Sequence, residues 1–229
     1  MDRASTINWK RFSLRTLILA MTAVCLVFAA WSILVDPYRK QPRALAVVTR
    51  LQGESQITPA KGPRWQAWLV TATLGEKSFV RVTGVDLSGR NVDDAALQSL
   101  SGLKFLESLN LERTQITDAS ADVLLSFPQL SELSLRFTRV GDPTAARLGQ
   151  LPQLEKLYLT STQLSDAAAP NLAKLDGLKE LYIRWTRISD AGAEELRQSL
   201  PRCDVFHHSL QNESAHGGES GEQQDKALN

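Results

Sequence analysis

Leu106-Glu107-Ser108-Leu109-Asn110-Leu111-Glu112-Arg113-Thr114-Gln115-Ile116-Thr117-Asp118 is one line of a phrase that this 229-residue chain repeats. It returns at Leu130-Ser-Glu-Leu133-Ser-Leu135, Leu154-Glu-Lys-Leu157-Tyr-Leu159 and Leu178-Lys-Glu-Leu181-Tyr-Ile183, and Val82-Thr-Gly-Val85-Asp-Leu87 fits one period earlier. The spacing is 24 residues each time, and the four leucine-led lines run on into Thr-x-(Ile/Val/Leu)-x-Asp. At a fixed period of this length each unit is one small element that cannot bury its apolar face alone, so the units must stack.

Within a unit the leucines at 109 and 111, or 157 and 159, alternate with polar residues, which places them on one face of a half-buried strand. Ile116, Val140, Leu164 and Ile188 share one register further on, as do Leu124, Leu148, Leu172 and Leu196 in the return segment. The expected fold is α/β: a right-handed β-α solenoid with a parallel concave sheet, its strands stacked in register and Leu109, Leu133, Leu157 and Leu181 lining one interior column.

Asp94, Asp118, Asp142, Asp166 and Asp190 hold one register. A ladder of carboxylates suggests a divalent cation, but such a site needs several oxygens converging on one point. Pro143 follows Asp142, and Pro is favoured at the first helical position, so these aspartates are expected to be N-caps of the return helices and no metal site is expected. Thr114, Thr138, Thr162 and Thr186 recur where the strand turns away, where their hydroxyls are expected to satisfy backbone groups.

The phrase over Leu106–Ala119 resembles the 24-residue leucine-rich repeats common in bacterial proteins, especially those of planctomycetes. Many such chains also open with a basic Arg-Phe-Ser-Leu-Arg-Thr-Leu-like stretch entering a membrane helix, as Arg11–Leu17 does here. The likeness covers the membrane helix that this stretch enters and about residues 82–206. It implies the solenoid fold and a binding scaffold, and no particular activity.

Thr16 to Val35 carries no charge and is bounded by Lys10, Arg11 and Arg15 before it and Asp36, Arg39 and Lys40 after it. A helix there would rise about 30 Å, the thickness of a bilayer core, so a transmembrane anchor is expected. A cleaved signal peptide is the rival, since Val27-Phe28-Ala29 offers small residues at suitable offsets; the apolar run continuing through Ile33, Leu34 and Val35 favours an uncleaved anchor. Thr22-Ala23-Val24 is a poor lipoprotein signal for Cys25. Basic residues flank both ends, so orientation rests on the short N-tail staying in the cytoplasm, with the repeats on the outer, periplasmic side.

The chain thus divides into a basic tail at 1–15, the anchor at 16–35, a linker and N-terminal cap at 36–81, the repeats with their C-terminal cap at 82–206, and a polar tail at 207–229 expected to be disordered. Gln41–Leu51 has helical spacing, and Trp65, Trp68, Leu69 and Phe79 are expected to cover the first unit. Leu200–Phe206 aborts a further unit after one strand, and the three histidines, His207, His208 and His216, sit past it at an end expected to fray.

No catalytic constellation, cofactor loop or zinc motif is present in the sequence, and a formal net charge of +1 gives no basic field for nucleic acid. Neither an enzyme, nor a cofactor, nor a small-molecule substrate is expected. The surface remains: Tyr158 and Tyr182 are adjacent by register, Arg136 and Arg184 lie one unit either side of Thr160, and Phe137 and Trp185 follow at the strand exit. Aromatic and Arg side chains on a rigid scaffold are usual anchors of recognition, so these six are expected to bind an unknown protein partner. The alternatives are an envelope component that associates with itself and a ubiquitin-ligase-type substrate adaptor.

Overall fold

The computed structural model describes residues 14–60, 64–74 and 80–208. Seven strands form one sheet in chain order: β1 (Glu54–Pro59), β2 (Val80–Asp86), β3 (Ser108–Asn110), β4 (Glu132–Ser134), β5 (Lys156–Tyr158), β6 (Glu180–Tyr182) and β7 (Asp204–Phe206). From β2 onward the pairing is parallel, and each residue lies against the one a period further on, as in Leu109 with Leu133, Leu133 with Leu157 and Leu157 with Leu181. All four leucines are buried, together with Ile116, Val140, Leu164, Ile188 and the return-segment Leu124, Leu148, Leu172 and Leu196. The expected interior column and the expected register are both present.

Return helices lie behind the strands: α5 (Asp94–Gln98), α6 (Ala121–Leu124), α7 (Asp142–Leu148), α8 (Ala169–Leu172) and α9 (Asp190–Ser199), with a turn of 3₁₀ helix leading into α6 and α8. Their caps sit one residue earlier than expected. Asp93, Thr117, Gly141, Ser165 and Ser189 have the extended backbone of an N-cap, and all except Gly141 accept an N–H at the helix start. The aspartates of the ladder are the first residues inside the helices, so their carboxylates project sideways and bind the next unit. Asp94 accepts the Thr117 N–H at 2.9 Å, the Thr117 hydroxyl at 2.6 Å and the Ser120 hydroxyl. Asp118 accepts from the Gly141 N–H at 2.8 Å, the Thr144 N–H at 3.2 Å and the Thr144 hydroxyl at 2.5 Å. Asp142 does the same with the N–H and hydroxyl of Ser165, and Asp166 with the Ser189 N–H. The ladder is inter-unit mortar, a role that fixes both register and residue type.

The recurrent threonines behave as expected: the hydroxyls of Thr114, Thr138, Thr162 and Thr186 donate to the carbonyls of Leu111, Leu135, Leu159 and Ile183 at 2.6–2.9 Å. Just before each of them the chain turns with positive φ, at Arg113, Phe137, Ser161 and Trp185, and Gly89 makes the same corner one period earlier. The N–H at that corner donates across to the next unit, for example Arg113 to the Arg136 carbonyl and Phe137 to the Thr160 carbonyl, both at 2.9 Å. Only one of the five corners uses glycine, the residue that adopts this conformation without steric cost.

The first unit is covered by α3 (Gln41–Arg50), which buries Ala44 and Val48 against the core. Beside it β1 pairs antiparallel with β2 and closes that edge of the sheet. Gln41 joins the two, since its Oε1 accepts the Val82 N–H at 3.0 Å. Trp68, in α4 (Arg64–Leu74), does not take the covering role expected of it and is 69% exposed, because the helix packs through Val70 instead, against Val35, Tyr38 and Phe105. The side chains of Trp65 and Leu69, and Phe79 entirely, lie outside the described residues.

The other end is ordered further than expected. The carbonyls of Ile116, Val140 and Leu164 each accept an N–H from the following unit, and at Ile188 the His207 ring supplies that donor, with Nε2 2.9 Å from the carbonyl oxygen. Its Nδ1 stands 3.4 Å from the Asp190 carboxylate, the last of the ladder, and the side chain is 4% exposed. His208 continues the backbone ladder by accepting the Trp185 N–H at 3.0 Å. His207 and His208 therefore belong to the folded stack, because the last unit leaves over one acceptor, the Ile188 carbonyl, and one donor, the Trp185 N–H, that need partners. Residues 209–229 lie outside the description.

Helix α1 (Leu14–Leu34) forms where the anchor is expected, and the short α2 (Asp36–Arg39) follows it. Among residues whose side chains are described, no helix is long and apolar enough to cross a membrane; several side chains of α1 fall outside that description.

Candidate functional site

Strand residues that alternate with the buried leucines face outward in parallel columns. One column runs Asp86, Asn110, Ser134, Tyr158, Tyr182, Phe206, by the pairing of β2 through β7. Its last three members stack: the Tyr158 and Tyr182 ring centroids are 4.8 Å apart, and those of Tyr182 and Phe206 are 4.3 Å apart with planes 10° from parallel. All three rings are half-buried. Stacks of this kind contribute about 0.5–1.5 kcal/mol per pair beyond area burial, so the tyrosines have a structural share as well as an exposed face.

The column beside it contains Gly84, Ser108, Glu132, Lys156, Glu180 and Asp204. Lys156 and Glu180 pair across strands at 3.3 Å, and the Tyr182 hydroxyl donates to Glu180 at 3.2 Å. Burial, then the charges of Glu132 and Glu180, raise the Tyr158 phenol above its ordinary pKa; burial and Glu180 do the same to Tyr182. Both phenols stay neutral hydrogen-bonding groups at physiological pH.

The remaining expected site residues are placed unequally. Arg136 pairs with Glu112 at 3.7 Å and lies over the Phe137 ring at 5.8 Å, which Arg113 also covers at 4.8 Å. Phe137 is half-buried, with two guanidinium groups over its ring. Arg184 and Trp185 are exposed at the far end, Trp185 on a left-handed corner. Tyr158 and Tyr182 are in direct contact, while Arg136 and Arg184 are separated by the intervening unit, whose Thr160 is buried.

Between β1 and β5 the outward face hollows into a cleft of about 390 Å³ lined by Glu54, Asp86, Glu112, Glu132, Arg136 and Tyr158, among others. Burial pushes the Asp86 carboxyl up, but hydrogen bonds from Ser88 and Asn110 and the charge of Arg90 outweigh it and hold its pKa below the ordinary value. Sequence reasoning missed this cleft and missed Phe206. Phe206 could have been found by adding one period to Tyr182; β1, which walls the cleft, carries no repeat signal. No three His, Cys, Asp or Glu side chains are grouped to hold a metal ion among the described residues. Burial, with Asp204 and Glu180 nearby, pushes the Cys203 thiol up to about 11, so it is protonated and poorly nucleophilic at neutral pH.

This architecture is that of leucine-rich repeats, and residues 102–125 and 178–196 match the family described as Leucine Rich repeat. The chain is similar to internalin C2 of Listeria monocytogenes, with 28% identity over 61% of this chain and 55% of that one, at a TM-score of 0.46. It is also similar to a leucine-rich-repeat protein of Leptospira interrogans, at 19% identity, 59% and 38% coverage and a TM-score of 0.39. A third similar structure is the Arabidopsis receptor kinase HAESA in complex with the peptide hormone IDA and the co-receptor SERK1, at 18% identity, 56% and 26% coverage and a TM-score of 0.37. The chain thus spans about half the length of the first of these and less of the others. No curated protein matches it.

Proposed function

We propose that this chain is a membrane-anchored, non-catalytic leucine-rich-repeat module that holds a protein partner on the outward face of its sheet. The observation that carries the reading is the Tyr158–Tyr182–Phe206 stack, which presents three rigid rings in one column of an otherwise polar face. Arg136, Phe137, Arg184 and Trp185 extend the same surface. Large aromatic groups bring contact area with few torsions to freeze, so they anchor a partner efficiently.

The anchor is supported by the uncharged run Thr16–Val35 and by α1, whose described apolar side chains Ile18, Leu19, Met21, Val24 and Leu26 are exposed. With the basic N-tail in the cytoplasm, the repeats lie on the periplasmic side of the cytoplasmic membrane. An impermeant protease added to intact cells then digests the repeats; protection reverses the orientation, and a mature N-terminus at Ala30 shows a cleaved signal instead.

Crosslinking in intact cells, followed by identification of captured proteins, tests the partner. Changing Tyr158 and Tyr182 together to Ser is expected to abolish capture, and unaltered capture moves the site elsewhere. Self-association is the second reading, favoured by β7, whose outer edge has no paired strand among the described residues. Recovery of the chain alone in the crosslinking experiment would establish that reading.

A further inference from the structure

The outward face is divided into two chemistries. From β1 to β5 it is the polar cleft, whose lining holds four carboxylates, Glu54, Asp86, Glu112 and Glu132, against the single guanidinium of Arg136. That guanidinium is already paired with Glu112, and the neighbouring Lys156 is paired with Glu180. Neither Glu54 nor Glu132 forms an ion pair among the described residues. From β5 to β7 the face becomes the aromatic stack. The carboxylates are too dispersed to converge on one metal ion, but dispersed negative charge in a cleft fits a row of separate cationic side chains.

We propose that this face takes an extended protein segment of two halves, with Lys or Arg residues in the cleft and apolar residues laid over Tyr158, Tyr182 and Phe206. The proposal rests on the reading of the face as a protein-binding site and adds the partner's chemistry. Charge complementarity selects the sign: an acidic segment would meet Glu54, outside any ion pair among the described residues, and Glu132, whose charge Lys156 on the next strand offsets in part, whereas a basic one neutralises them. Basic residues near the tyrosine edge also gain from the ring faces. The span from β1 to β7 is six strand spacings of about 4.8 Å, or about 29 Å, which matches about nine residues in extended conformation.

The test uses the full chain and three fluorescein-labelled peptides of about that length: a basic block of Lys and Arg followed by a block of Leu and Trp, the same residues alternated, and an acidic block followed by the same apolar one. The basic-block peptide is expected to bind at least about tenfold more tightly than either control, with its advantage shrinking as salt rises. Glu54→Lys with Glu132→Lys should remove most of that advantage, and the isosteric Glu54→Gln with Glu132→Gln part of it, while circular dichroism stays that of the parent. Equal affinity for basic and acidic peptides, or indifference to both charge variants, overturns the proposal. If the Lys variant also captures the cellular partner at parental level while Tyr158→Ser with Tyr182→Ser loses it, the basic-segment proposal fails and the binding face stands. If both variants capture normally, the binding face itself is wrong.

Discussion

Leu109, Leu133, Leu157 and Leu181 stand one behind the next inside the stack, whereas one step along the same strands the outward residues run Asn110, Ser134, Tyr158 and Tyr182, with Phe206 next on β7. The interior repeats its residue; the face changes character from polar to aromatic. The difference follows from what each position touches. An interior leucine meets its own counterparts above and below, so a common shape is the only one that packs at every level. An outward residue meets neighbours and solvent, and is free to differ from unit to unit without disturbing the register. Uniform columns therefore specify the fold, and the departures from uniformity are where a specific surface can be written.

The largest expected effects test the uniform half. Leu157→Ala leaves a cavity in the middle of the stack and should cost about 2–5 kcal/mol in chemical denaturation. Tyr158→Ser, one residue further along, should cost only about 1 kcal/mol, the value of its ring contact with Tyr182. Equal losses at the two positions would mean that the outward column is as structural as the interior one.

The aspartate ladder comes next. Asp118→Ala strands the N–H groups of Gly141 and Thr144 and the Thr144 hydroxyl, and should cost about 1–3 kcal/mol. Asp166→Ala should cost less, because among the described residues that carboxylate accepts only the Ser189 N–H. Unfolding free energies that rank the two in the opposite order would show that the ladder's hydrogen bonds do not set its contribution.

A pH titration sharpens the same point. Burial raises the Asp94 carboxyl, but the hydroxyls of Ser120 and Thr117 and the Thr117 N–H outweigh it, so its folded pKa is below the ordinary value. A lowered folded pKa gives stability that is fully present above the unfolded value, about 3.9, and is lost as pH falls through the folded value. Asp94→Asn should therefore flatten the fall in stability below about pH 4, measured by urea unfolding at several acid pH values. A parent-like slope in the variant would assign acid lability to other groups.

Much of the stack was legible because periodicity acts on positions, not on particular residues: the strand leucines, the second apolar column and the threonine turns could all be placed by counting. The cap could not, since Asp is the most conspicuous N-cap residue type, yet a cap is defined by extended backbone and falls on Thr117, Ser165 and Ser189 one place earlier. His207 was misplaced because its role exists only where the repeat stops and a carbonyl is left over. Of the site, the tyrosine pair followed from register. The acidic cleft did not, because its residues come from different columns and from β1, a strand of six mostly exposed residues outside the period.

The smallest expected effect has the opposite sign, and it separates fold from function at one residue. Trp185 occupies a left-handed corner with φ of 54°, where the equivalent residue of the first unit is Gly89. A side chain in that conformation costs about 1–2 kcal/mol, and Trp185, exposed and at the end of the stack, has little packing to offset it. Trp185→Gly should relieve the crowding, part of the gain being offset by the greater freedom glycine has when unfolded. The net expectation is a stabilisation of about 0.5 kcal/mol, read as a raised melting temperature, together with weaker partner capture. Phe137→Gly is the control: its ring lies under the guanidinium groups of Arg113 and Arg136, so the relief should be cancelled by lost packing. A stabilised Trp185→Gly variant that captures its partner as well as the parent would remove Trp185 from the binding face and leave its strained corner without a function.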